Sequence, residues 1–99
     1  MKVMLITGTS RGIGRYLAEY YASNNFLVIG CSRSASTLTH KNYQHLIEDI
    51  SNEKSILNIF SIIRKQYKNL DVLINNAGIN PAILSAALLP YSLIKMYMK

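Results

Sequence analysis

Apolar residues along the chain form short continuous runs that alternate with stretches of helical spacing. The first run, Val3-Met4-Leu5-Ile6, shows no polar alternation, the pattern of a parallel strand covered on both faces. After a glycine-rich turn, Ile13, Leu17, Tyr20 and Tyr21 recur at helical spacing and predict an amphipathic helix. Ser23-Asn24-Asn25 is expected to end it, since asparagine tolerates the positive φ of a helix exit. Phe26 to Cys31 reads as a second strand. Ser32 to Lys41 is polar and rich in Ser and Thr, so it reads as a loop with at most a short helical turn at Thr37-Leu38. Tyr43 to Ile47 reads as a third strand. Ser51 is expected to N-cap the next helix, in which Ile56, Ile59, Phe60, Ile63 and Tyr67 share one stripe. Arg64, Lys65 and Lys68 fall near its C-terminus, where cations oppose the helix dipole, and Asn69 is a natural stop. Leu70 to Asn75 reads as a fourth strand. A loop follows at 78–81, and the apolar tail is expected to be helical from about Tyr91.

Strands alternating with helices predict βαβ units, a parallel sheet and right-handed crossovers. The expected fold is therefore α/β, a Rossmann-like doubly wound sheet of about four strands in the order β-α-β-α-β-α-β-α. Its 99 residues allow one domain. With 49% hydrophobic and 16% charged residues, a packed core is expected and disorder is not. No apolar run reaches the roughly 18 residues of a membrane span, and the apolar N-terminus is too short for a signal peptide. One cysteine, Cys31, excludes an internal disulfide and suits a reducing, cytoplasmic location. The formal charge of +6 favours phosphate-bearing partners. The basic residues are scattered, which argues against nucleic acid as the partner.

The chemistry begins at Thr7-Gly8-Thr9-Ser10-Arg11-Gly12-Ile13-Gly14, between the first strand and the first helix. Gly8 permits a tight turn, Gly12 a close approach of backbone to a pyrophosphate, and Gly14 packing of the helix against the sheet without a side chain in the way. The helix N-terminus then offers unpaired N–H groups to an anion. A P-loop is excluded, since Gly12 is followed by Ile13 and Gly14 and no lysine. A second motif, Asn75-Asn76-Ala77-Gly78, closes the fourth strand.

With TGxxxGxG after the first strand and NNAG after the fourth, the chain resembles the short-chain dehydrogenase/reductase family over its whole length. The resemblance implies an NAD(P)-dependent oxidoreductase that transfers hydride between a nicotinamide and a carbonyl or alcohol. It implies cofactor contacts from Gly8, Thr9, Ser10, Arg11, Gly12, Ile13 and Gly14. It places Asn76, Ala77 and Gly78 beside the adenosine ribose and makes Asn75 a structural residue, bonding backbone across the sheet. Asp49 matches the family aspartate that accepts from the adenine amino group, with the Ile50 backbone beside it; it reads equally well as a helix-start acid near Ser51. The second strand ends in Cys31-Ser32-Arg33, without the carboxylate that NAD binders place there. Ser32 does not repel a 2′-phosphate, and Arg33 and Arg11 can fork onto it, so NADP is expected over NAD.

The family's catalytic tyrosine, lysine, serine and second asparagine lie beyond NNAG. Tyr91-Ser92-Leu93-Ile94-Lys95 spells YxxxK but comes too soon after Gly78, so no catalytic residue is assigned; Tyr91 is expected to pack or face solvent, and Lys95 to be a solvated helix charge. The chain then carries the nucleotide-recognition half and is expected to be inactive alone, with the fourth strand left as an apolar edge. The alternative is a non-catalytic NADP-binding module or a truncated remnant. Substrate contacts and any homo-oligomer interface are expected downstream. His40 and His45 lack metal-ligand partners and read as surface of loop or strand. Cys31 reads as core packing, and Tyr16, Tyr20 and Tyr21 as helix core and surface.

Overall fold

The unbroken apolar run near the N-terminus becomes the centre of the sheet. In the computed structural model, which describes residues 1–77 and 95–98, five strands and two helices are formed. They are β1 (Lys2–Thr7), α1 (Gly12–Ala22), β2 (Phe26–Ser32), β3 (Tyr43–Ile47), α2 (Glu53–Tyr67), β4 (Val72–Asn75) and β5 (Lys95–Met98). The strand order is β3-β2-β1-β4-β5 and every pairing is parallel. Successive side chains of β1 point to opposite faces. Val3 and Leu5 join Ile56, Ile59, Phe60 and Ile63 of α2 in one core. Met4 and Ile6 join Ala18 and Ala22 of α1 in the other. One helix on each face makes the sheet doubly wound, as expected, and explains why the β1 run from Val3 to Ile6 has no polar position.

Helix α1 meets the sheet through a different face from the predicted stripe. Its buried residues are Gly14, Ala18 and Ala22, four apart, while Ile13 and Tyr20 are 59% and 50% exposed. Leu17 and Tyr21 pack only at the margin of the core. The reason is proximity: a Cβ at Gly14 would overlap the Gly8 carbonyl, so the helix sits too close for large side chains. The exit matches expectation, with Asn25 at φ 65°.

Helix α2 carries the predicted stripe. Ile56, Ile59, Phe60 and Ile63 are buried, and Tyr67 packs beside them while its hydroxyl donates to Gln44 Oε1 at 2.8 Å. Its N-cap is Asn52, one residue later than expected; Asn52 Oδ1 accepts from the Lys54 N–H at 2.9 Å. Ser51 is instead drawn to Asp49. The helix ends on Lys68 at φ 71°, one residue before Asn69.

Two expectations are corrected. Residues 33–42 contain no helix, so β2 runs to β3 through an irregular loop and the turn at Thr37-Leu38 does not form. The tail helix is not seen where the tail is described: Tyr91 lies outside the described residues, and Lys95–Met98 is a strand beside β4, with Val72 opposite Lys95 and Asn75 opposite Met98. Lys95 is therefore a strand residue, and β4 is covered on both sides rather than left as an edge. A strand alongside satisfies the ladder N–H and C=O groups that an edge would leave open.

Candidate functional site

Strand order reverses at β1, with β2 on one side and β4 on the other. Chains leaving the carboxyl ends of β1 and β4 diverge there, and a crevice opens at that switch point. The first chain to leave is the glycine turn. Gly8 takes φ +75° and donates its N–H to the Cys31 carbonyl at 2.8 Å, turning the backbone sharply off β1. Gly12 takes φ +62°, and a Cβ there would meet nothing within 4 Å, so the outer side of the turn is open. The N-terminus of α1 has an extended Arg11 at the N-cap, no side-chain cap and no acid in its first turn. In contrast, α2 is capped by Asn52 and has Glu53 in its first turn. Among the described residues, the positive end of α1 thus has neither the side-chain cap nor the first-turn acid that α2 has.

The end of β4 is tied to the same turn. Thr7 Oγ1 donates to Asn75 Oδ1 at 2.9 Å, and the Ala77 N–H donates back to Thr7 Oγ1 at 3.1 Å. Asn76 Nδ2 donates to the Gly8 carbonyl at 3.2 Å. Asn75 is fully buried, and its amide bridges to a side chain on β1 rather than to backbone across the sheet. Its Nδ2 has no partner among the described residues. Gly78 lies outside the described residues.

These ends enclose a cleft of about 860 Å³. Gly8, Ser10, Arg11 and Gly12 line it from the turn, and Ser32 and Arg33 from the end of β2. Asp49, Ile50, Asn76 and Ala77 line it from the two remaining loops. Three predicted residues stand apart from its wall. Thr9 is fully buried behind the turn, Gly14 is buried under the Gly8 carbonyl, and the Ile13 side chain projects from α1 into solvent. Asp49 borders the cleft and stands ahead of α2, not in its first turn, where Asn52 is the cap and Glu53 the acid. Its Oδ1 accepts from the Ser51 N–H at 2.9 Å and the Ser51 hydroxyl at 2.7 Å. Those bonds, the backbone one first, hold its carboxyl below the usual aspartate range, aided by the nearby Arg33 charge. Burial pushes the Cys31 thiol up to about 12, as fits a packing residue.

One cluster was not foreseen. His45 is not a bystander on the strand surface: Nδ1 lies 2.7 Å from Tyr43 Oη, and Nε2 lies 3.0 Å from Ser32 Oγ and 2.9 Å from the Ser34 carbonyl. Tyr43 Oη is also 2.8 Å from Thr9 Oγ1. The chain of groups runs behind the cleft from the glycine turn to the end of β2. The signal for it was Gly30, the one residue without a side chain in the β2 run, which pairs with His45. A Cβ there would overlap Tyr43 and Thr9. Among the described residues no three His, Cys, Asp or Glu side chains are placed to hold a metal ion, and no helix is long and apolar enough to cross a membrane.

The family model for short chain dehydrogenase matches residues 2–96. Human dehydrogenase/reductase SDR family member 11 is 35% identical over 89 residues, covering 79% of this chain and 34% of that protein. The 3-oxoacyl-[acyl-carrier-protein] reductase FabG of Escherichia coli is 37% identical over 84 residues, with 79% and 34% covered. A short chain dehydrogenase from Leptospira borgpetersenii with bound NAD+ superposes with a TM-score of 0.71 at 38% identity, covering 79% of this chain and 32% of that one. ElxO with NADP bound superposes at 0.69 and 32% identity, covering 80% and 36%. The chain thus spans about a third of the length of these relatives.

Proposed function

The chain belongs to the short-chain dehydrogenase family, and from that premise we propose that it is the cofactor-binding part of an NADP-dependent oxidoreductase acting on a carbonyl or alcohol. When bound, the nicotinamide supplies or accepts the hydride. The residues of this chain hold the other half of the dinucleotide. The open turn at Gly12 and the uncapped start of α1 receive the pyrophosphate. Asn76 and Ala77 border the adenosine ribose, and Asp49 with the Ile50 backbone borders the adenine.

The observation that carries the choice of NADP is the wall of the cleft at the end of β2. Ser32 and Arg33 stand there, with Arg11 on the facing turn and no carboxylate on the strand end. Glu48 borders the same cleft, but its Oε2 is engaged by Asn58 Nδ2 at 2.7 Å. Relatives of known structure carry NAD+ in one case and NADP in another, so local chemistry has to decide. An arginine fork on phosphate is a charge-assisted pair, worth about 1.5–3 kcal/mol. Arg33→Ala and Arg11→Ala should each weaken NADP+ binding by roughly 10- to 100-fold and leave NAD+ binding within about twofold. Calorimetric titration of both dinucleotides checks this. NAD+ bound as tightly as NADP+ by the unaltered protein overturns the reading.

A further inference from the structure

We propose that His45 is a positioning residue for the cofactor's 2′-phosphate: it braces Ser32 from behind the cleft wall, and its charged form favours the phosphorylated dinucleotide over the unphosphorylated one. The inference rests on the NADP reading above and concerns a residue that does not itself line the cleft.

The geometry comes from sheet register. Tyr43 and His45 are two apart on β3 and share a face. Tyr43 and Thr9 fill the space left by Gly30 of the neighbouring strand, and His45 is the register partner of that glycine. The Ser34 carbonyl can only accept, so its 2.9 Å approach to His45 Nε2 places a hydrogen on that nitrogen. Ser32 Oγ donates its own hydrogen to the same carbonyl at 2.6 Å, leaving its lone pairs, 3.0 Å from Nε2, to share the one Nε2 hydrogen with that carbonyl. The other ring nitrogen faces a hydroxyl that can serve either way. With a neutral ring, Nδ1 accepts from Tyr43 Oη at 2.7 Å, and the Tyr43–Thr9 contact at 2.8 Å is then made with the Thr9 hydroxyl's own hydrogen, the reverse of its direction with a charged ring. With a charged ring, Nδ1 donates to Tyr43, whose hydrogen turns to Thr9 Oγ1 at 2.8 Å. Both protonation states are fully bonded, so the pocket accepts the charge without stranding a buried polar group.

The charged ring sits one hydrogen bond behind Ser32, on the side of the cleft held by Arg33. The charged and titratable groups around it can be followed element by element. On its own strand, Tyr43 is held above its ordinary value by burial, so it stays neutral near pH 7. On β2, the Cys31 thiol at about 12 stays protonated. From α1, Arg15 contributes a constant charge and donates to Thr37 Oγ1 at 2.9 Å. Arg33, Glu48 and Asp49 stand at the same end of the sheet. His40 precedes β3, with its Nδ1 accepting from the Asn42 N–H at 3.0 Å. Of these groups, His45 is the one joined to Ser32.

The test is calorimetric titration of NADP+ and NAD+ from pH 8 to pH 5.5 on the unaltered protein, His45→Gln and His40→Gln. The free 2′-phosphate gains a proton near pH 6, a contribution of the ligand that is common to all three proteins and cancels when they are compared. The preference for NADP+ over NAD+, divided by that of His45→Gln, should rise about three- to tenfold as pH falls. His40→Gln should follow the unaltered protein. A second readout needs no His45 variant: in His40→Gln one imidazole remains, and its NMR titration should move to higher pH with saturating NADP+ but not with NAD+. A pH profile shared by His45→Gln and the unaltered protein, or an imidazole titration that NADP+ leaves in place, overturns the proposal. An NAD+ preference at every pH overturns the NADP reading instead, and the His45 difference remains readable on its own.

Discussion

A methyl group is the smallest change the glycine turn can be asked to absorb, and Gly14 and Gly12 should answer differently. At Gly14 a Cβ would overlap the Gly8 carbonyl and press on Asn76 Nδ2, which itself bonds that carbonyl. Gly14→Ala should cost about 1–3 kcal/mol in urea denaturation, the range of overpacked sites, and should weaken nucleotide binding by displacing the turn. At Gly12 the space is empty but φ is +62°. Gly12→Ala should cost about 1–2 kcal/mol through the left-handed backbone alone, with its larger effect on binding, because the methyl group occupies the approach of the phosphates. Equal loss of binding with no difference in stability would contradict this account of the two positions. Both glycines were legible from spacing. The bonds among Thr9, Tyr43, His45 and Ser32 were not, since Thr9 and His45 are 36 positions apart and only strand register brings them together.

The two helices differ in how much of their packing the pattern reveals. In α2 the apolar stripe and the buried face coincide, because that helix packs with large side chains and its periodicity records the contact. In α1 the buried face is Gly14, Ala18 and Ala22, residues that hardly register as apolar, while Tyr16 and Tyr20 face outward. Tyr16 and Tyr20 stack on that outer side with ring centroids 6.4 Å apart. Ala18→Leu should therefore destabilise by about 1–3 kcal/mol, whereas Tyr20→Ala should stay within about 0.5 kcal/mol. Thermal or urea unfolding of the two variants decides; the reverse ranking would restore the aromatic stripe as the packing face. The shifted cap of α2 has a similar origin: Ser51 and Asn52 are both competent caps, and Asp49 removes Ser51 by engaging its N–H and hydroxyl.

For the molecule as a whole, a ligand held where β1, β2 and β4 end ties both halves of the sheet together and should stabilise folding by mass action. At NADP+ a hundredfold above its dissociation constant, the gain should be about 2.7 kcal/mol, and NAD+ at the same concentration should give measurably less. Equilibrium unfolding with each dinucleotide checks this, and an unfolding midpoint indifferent to either would remove the binding site. The sequence was sufficient for the first four strands near their true bounds, the parallel doubly wound class and the glycine turn, because each rests on local chemistry: continuous apolar runs, helical spacing, and backbone that only glycine readily supplies. Strand order, the pairing of 95–98 with β4, the small-residue face of α1 and the hydroxyl–imidazole chain behind Ser32 came only with the tertiary structure. Each of these depends on which segments lie side by side, and neighbours in space leave no period in a single chain.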